Sequence, residues 1–274
     1  MRIAFGPIML AGMILWATDA NAHGSQHRRE MGIACKAVVA GEAEVVTLAT
    51  RSGAGYVVPL EGILMKPEGA PPFPAIVMLH GGKGLRAPYC YGDLQETFAG
   101  WGDLSLLIDS FSAADTKLGR GHNPTVADRA RDAQSAAHFL ATRDDVNATR
   151  IGLMGWSLGG AAAIMSVSGG GPSPEESAGP IAATIALVPI CGDVVKGLAS
   201  PLLVLVGGAD RLLSPQACKA MRIEGDNPPP FEISVYPGAG HIFFSTASRA
   251  YNAGAARAAN ARMKIFLSKH LSPR

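Results

Sequence analysis

Ile151-Gly152-Leu153-Met154-Gly155-Trp156-Ser157-Leu158-Gly159-Gly160-Ala161-Ala162-Ala163-Ile164 joins an apolar run, a Gly-x-Ser-x-Gly pentapeptide and a small-residue run, in that order. The order predicts a buried strand that turns sharply into a helix at Ser157, the nucleophile-elbow pattern. The spacing is steric in origin. A serine on so tight a turn takes strained backbone angles, and only small residues two before and two after it let strand and helix pass that closely. The strain exposes the Ser157 hydroxyl, and the helix N-terminus behind it favours developing negative charge.

On both sides of this turn, short β-rich runs alternate with helical periodicity, which predicts a parallel sheet covered on both faces. Strands are expected near 45–49, 56–65, 75–80, 104–109, 150–154, 181–188, 202–206 and 231–236. Several are continuous apolar runs, as parallel strands buried on both faces should be. Val126, Ala130, Ala133, Ala137 and Leu140 mark one helix face, and Tyr251, Ala255, Ala258, Arg262 and Phe266 repeat that spacing near the C-terminus. Gly and Pro clusters at 67–74, 169–174 and 226–230 punctuate elements without a change in composition. One domain over residues 23–274 is therefore expected.

A serine hydroxyl needs a general base, and the base needs a group to orient it. Val204-Leu205-Val206-Gly207-Gly208-Ala209-Asp210 is a buried strand followed by a small-residue loop with a carboxylate. Tyr236-Pro237-Gly238-Ala239-Gly240-His241 is a strand followed by a loop with an imidazole. The chain order Ser157, Asp210, His241 is that of the α/β-hydrolases, and loops beyond the C-terminal ends of parallel strands converge at one edge. Asp210 has a rival role as a cap for the helix that Ser214 and Pro215 begin. His122, in a loop, is the rival base; His138 falls on a helix pattern, His270 is terminal, and His23 and His27 lie in an N-terminal arm.

An acyl-transfer intermediate also needs donors aimed at its oxyanion. The amide of Leu158 is one candidate. The other is expected from His80-Gly81-Gly82-Lys83-Gly84, after the third strand, with Gly82 assigned and Gly81 or Lys83 as alternatives. His80 is expected to orient that loop.

Together with Asp109-Ser110-Phe111 after the fourth strand and Pro189-Ile190-Cys191 after the sixth, these residues resemble the dienelactone hydrolase family. The resemblance covers nearly all of residues 23–274. It implies the α/β-hydrolase fold, a mostly parallel eight-stranded sheet with helices on both faces, and hydrolysis of carboxylic esters or lactones with neither metal nor organic cofactor. Two departures stand out. Dienelactone hydrolase proper has Cys where this chain has Ser157, so its lactone substrate does not carry over. The family tends to place an Arg soon after Asp-Ser-Phe, whereas Arg120 follows only after residues 112–119, and a solvated loop charge is expected there. Alternatives are a peptidase related to the prolyl oligopeptidases, whose usual extra propeller has no room here, and a non-catalytic binding protein on a hydrolase scaffold.

Residues 1–22 read as a cleaved signal peptide. Arg2 gives a positive start, residues 3–17 are apolar but short of a span, and Ala20-Asn21-Ala22 is the cleavage site. The mature chain would begin at His23 in the periplasm or outside the cell, with residues 23–41 as a loosely docked arm. A net charge of +2 without a dense Lys/Arg run gives no reason to expect nucleic acid or an anionic membrane as a partner. The expected partner is a small ester or lactone, and the sequence leaves oligomeric state open. Cys35, Cys90, Cys191 and Cys218 match no zinc spacing. Export would permit disulfides. Cys191 and Cys218 follow neighbouring strands of the expected sheet and are expected to pair and brace the Asp210 loop; Cys35 with Cys90 is a further option.

Overall fold

The eight expected strands all form, and they hydrogen-bond into one sheet. A computed structural model describes residues 43–85, 91–114, 117, 120–172 and 181–271. The expected signal peptide, the arm at 23–41, and Cys35 and Cys90 lie outside the described residues. The chain runs β1 (Ala43–Arg51), β2 (Val57–Met65), β3 (Phe73–Leu79), α1 (Gly92–Ala99), β4 (Leu104–Asp109), α2 (Val126–Ala141) and β5 (Val146–Trp156). It continues through α3 (Leu158–Ser166), β6 (Ala183–Leu187), β7 (Val194–Lys196), β8 (Leu202–Gly207), α4 (Pro215–Ala220), β9 (Arg222–Glu224), β10 (Phe231–Tyr236) and α5 (Ala253–His270).

The main sheet has the order β1-β2-β4-β3-β5-β6-β8-β10. β1 and β2 enter antiparallel, and every pair from β4 to β10 is parallel. Period-two alternation then sends side chains to two cores. Ile76 and Met78 of β3 join Leu203 and Leu205 of β8 under α1 and α5. Ala75, Val77 and Leu79 join Leu104, Leu106 and Ile108 of β4 under α2 and α3. Helices thus cover both faces, and this is the α/β-hydrolase fold. Its sheet gathers the loops after β3, β5, β8 and β10 at one edge.

Three local features depart from the sequence reading. β7 and β9 form a separate two-stranded parallel sheet; at three residues each they carry no readable alternation. α1 offers only Leu94 and Phe98 as an apolar pair, too short a pattern to announce a helix. On α5 the buried positions are Ala255, Ala256, Ala259, Met263, Phe266 and Leu267. Ala258 is exposed, Arg262 half-buried, and Tyr251 precedes the helix. The expected stripe was thus rotated by about one residue, because alanine on every side of the helix gives little apolar contrast. Among the described residues no helix is long and apolar enough to cross a membrane.

Candidate active site

β5 ends at Trp156, α3 begins at Leu158, and Ser157 between them sits at φ 55°, ψ −114°. That is a strained position for a residue with a Cβ. The glycines on either side are required by contact. A Cβ on Gly155 would lie 2.0 Å from Gly159 O, and one on Gly159 would lie 2.5 Å from His80 O and 2.6 Å from Leu79 O. The Ser157 amide donates to Leu187 O of β6 at 2.9 Å, which ties the turn to the next strand.

The loops after β8 and β10 pack on each other with equal closeness, since a Cβ on Gly207 would lie 2.6 Å from Ala239 O. Their side chains meet Ser157. His241 Nδ1 is 2.7 Å from Asp210 Oδ2, and His241 Nε2 is 2.9 Å from Ser157 Oγ. Asp210 Oδ1 accepts the amides of Leu212 (2.8 Å) and Leu213 (2.9 Å), so both carboxylate oxygens are occupied. A carboxylate oxygen can only accept, so Nδ1 carries the proton and Nε2 presents its lone pair to the serine hydroxyl. The rival role for Asp210 goes to Ser214, whose hydroxyl accepts the Ala217 amide and caps α4. His122, the rival base, is exposed in the loop before α2.

The oxyanion-loop candidates lie against this relay. A Cβ on Gly81 would lie 3.5 Å from Ser157 Cβ, and one on Gly82 would lie 3.9 Å from Leu158 Cδ2. The Gly81 amide already donates to Tyr91 Oη at 2.7 Å, which removes it as a free donor. Gly82 lines a cavity of about 260 Å³ that opens on Ser157 and His241, with Tyr91 and Trp156 as walls and Leu212, 69% exposed, at the rim. Tyr91, Trp156 and Leu212 were not singled out from sequence. Trp156 alone carried a signal, by preceding the serine.

Arg120 corrects the expectation of a solvated charge. It is 1% exposed and pairs with Asp132 Oδ2 of α2 at 2.5 Å, and its Nη2 also donates to Ser110 O at 3.2 Å. Burial pushes the Asp132 carboxyl upward, opposed first by the Arg120 charge and then by hydrogen bonds from Ser110, Arg120 and Thr50. Arg129, also from α2, is buried beside it, and burial lowers its pKa against the pull of Asp132, Tyr91 and Asp109. His80 is fully buried, with Nδ1 2.7 Å from Gly81 O of the loop. Cys191 and Cys218 are disulfide-bonded with Cα atoms 5.0 Å apart, tying the segment after β6 to α4.

No functionally curated protein matches the sequence. Among the solved structures that share the fold are two hydrolases. A thermophilic esterase from the planctomycete Thermogutta terrifontis, bound to propionate, is 23% identical with a TM-score of 0.62 over 85% of this chain and 97% of that one. A dienelactone hydrolase-like promiscuous phosphotriesterase from metagenomic libraries is 18% identical with a TM-score of 0.62 over 84% of this chain and 99% of that one. The model of the dienelactone hydrolase family matches residues 60–271, from β2 to the end of α5, and the chain belongs to that family.

Proposed function

We propose that this chain is an exported serine hydrolase that cleaves small carboxylic esters or lactones through an acyl-enzyme. The observation that carries the reading is the unbroken relay from Asp210 Oδ2 through His241 to Ser157 Oγ, with contacts of 2.7 and 2.9 Å, at the mouth of a cavity. Ser157 Oγ bonds to the carbonyl carbon as His241 Nε2 takes its proton, and the carbonyl π pair moves onto oxygen. The amides of Leu158 and Gly82 receive that oxyanion. Collapse expels the alcohol, which leaves with the proton from His241. Water then repeats the two steps and releases the acid. Asp210 holds the imidazole in the Nδ1–H form throughout. Export rests on the leader sequence and fits the Cys191–Cys218 bridge.

A cavity of about 260 Å³ walled by Tyr91 and Trp156 suits a short acyl group or small ring. On p-nitrophenyl esters of rising chain length, turnover is expected to peak at two to four carbons and fall steeply by eight. Fluorophosphonate is expected to label Ser157, and Ser157→Ala to lose both label and turnover, the latter by roughly a millionfold. Turnover by Ser157→Ala near that of the parent refutes the mechanism. A labelled protein that hydrolyses none of the esters refutes the substrate class alone.

A further inference from the structure

A glycine loop can approach a substrate closely, but it has no side chains with which to aim its own amides. Here the aiming comes from outside the loop. His80 Nδ1 is 2.7 Å from Gly81 O, an atom that can only accept, so Nδ1 carries a proton and donates it. The other ring nitrogen, Nε2, lies 3.1 Å from the Ser110 amide, which can only donate. Asp109 Oδ1 lies 3.3 Å from Nε2, further than the Ser110 amide, and accepts the Phe111 amide at 3.0 Å. Arg129 Nη1 also lies 3.1 Å from Nδ1, with the His80 carbonyl as its acceptor at 3.2 Å. The Nδ1–H tautomer satisfies the shortest contact of the ring, at 2.7 Å to Gly81 O, together with the Ser110 amide. The Gly84 amide gives Gly81 O a second donor at 3.2 Å, and Tyr91 Oη accepts from Gly81 N.

The Gly81 carbonyl and the Gly82 N–H belong to one trans peptide, so they point in opposite directions. Fixing the first aims the second. We propose that His80 is a positioning residue that, by holding Gly81 O through Nδ1–H, turns the Gly82 amide toward the oxyanion; this rests on the serine-hydrolase reading above. Arg129 backs it from α2. Its Nη1 donates to His80 O at 3.2 Å, and its guanidinium lies 5.3 Å from the centre of the Phe111 ring, on which His80 stacks at 5.3 Å and 9°. The Asp-Ser-Phe segment after β4 thereby acquires a task. Ser110 fixes the tautomer, and Phe111 fixes the plane of the imidazole.

Two amide variants separate this from plain structural support. His80→Asn keeps a donor near the position of Nδ1 and loses the acceptor for Ser110; His80→Gln places its amide near Nε2 and loses the donor to Gly81 O. His80→Gln is expected to lower kcat about ten- to a hundredfold with KM little changed, somewhat less than outright removal of an oxyanion donor. Its affinity for a trifluoromethyl ketone, whose adduct carries the oxyanion, is expected to fall by the same factor. His80→Asn is expected to stay within a few-fold of the parent on both measures. The reverse order, or equal loss in both, overturns the proposal. Imidazole nitrogen shifts in the unmodified enzyme give an answer that needs no variant: a deprotonated Nδ1 on His80 overturns it even if neither variant folds. Ester turnover and Ser157 labelling are measured first on the parent, and their absence overturns the serine-hydrolase reading itself.

Discussion

Replacing Gly159 by alanine tests whether the close approach of β5, α3 and the loop after β3 is what places Ser157 and the Leu158 amide. The added Cβ would lie 2.5 Å from His80 O and 2.6 Å from Leu79 O, both backbone atoms that no rotamer change can move. Ordinary contact lies about an ångström further out, so α3 must retreat from β3 by most of that distance. Overpacking of this kind costs about 1–3 kcal/mol, or a Tm loss of roughly 2–10 °C in a domain of this size. The same retreat carries Ser157 and the Leu158 amide away from His241 and the Gly82 loop. Misplacement by an ångström costs on the order of a hundredfold in rate, so kcat is expected to fall ten- to a hundredfold. Gly192→Ala is the control, since a Cβ there meets nothing within 4 Å, and it should change neither quantity. Thermal denaturation and ester kinetics on the two purified variants decide the matter. Parental Tm and kcat in Gly159→Ala would refute the steric account of the pentapeptide.

Burial pushes Asp103 up to about 6 from an ordinary 3.8, against the weaker pull of Arg150 and Lys264. The folded chain therefore holds a proton that the unfolded chain releases, and stability falls as pH rises from about 4 to 6, by at most about 3 kcal/mol. Asp103→Asn is expected to raise Tm at pH 7.5 and not at pH 3.5; equal shifts at both pH values would count against it. Arg120→Met leaves the Asp132 carboxyl buried without its partner and is expected to cost about 3–5 kcal/mol by urea denaturation, most of it recovered in Arg120→Met/Asp132→Leu. A single variant as stable as the parent would show that the pair does not form. Protein recovered from the periplasm of an expression host is expected to begin at His23 and to carry the Cys191–Cys218 bridge, whose removal costs on the order of 3 kcal/mol. Intact mass before and after reduction checks both, and retained Met1 or two free thiols would contradict the export reading.

What could be read from sequence follows from how local each requirement is. The pentapeptide around Ser157 writes its own geometry, because Gly155 and Gly159 are needed by atoms only a few residues away or on the adjoining strand end. Asp210 and His241 were legible for a second reason. Each follows a parallel strand, buried β8 for Asp210 and half-buried edge strand β10 for His241, and an open sheet collects such ends without further instruction. The same logic reached the disulfide, since Cys191 and Cys218 follow strands that pair directly as β6 and β8.

Arg120 escaped because a charge in a Gly-rich loop looks the same whether it is solvated or folded under. The deciding partner was already visible on α2. Asp132 adjoins Ala133 on the stripe of Ala130, Ala133 and Ala137, and all four are buried. A carboxylate beside a core-facing stripe requires a cation; Arg129 and Arg131 each have both Asp128 and Asp132 within three residues, whereas Arg120 has no acidic residue that close. Asp128 is taken by Thr125 and Arg131 in capping and pairing the helix start. That leaves Asp132 to draw Arg120 inward, while Arg129 turns to His80 and the loop over Ser157. One helix thus supplies both the carboxylate that holds Arg120 in the interior and the guanidinium that meets His80. Neither contact leaves a motif in the sequence, since both join side chains from elements whose relative placement only the assembled sheet determines.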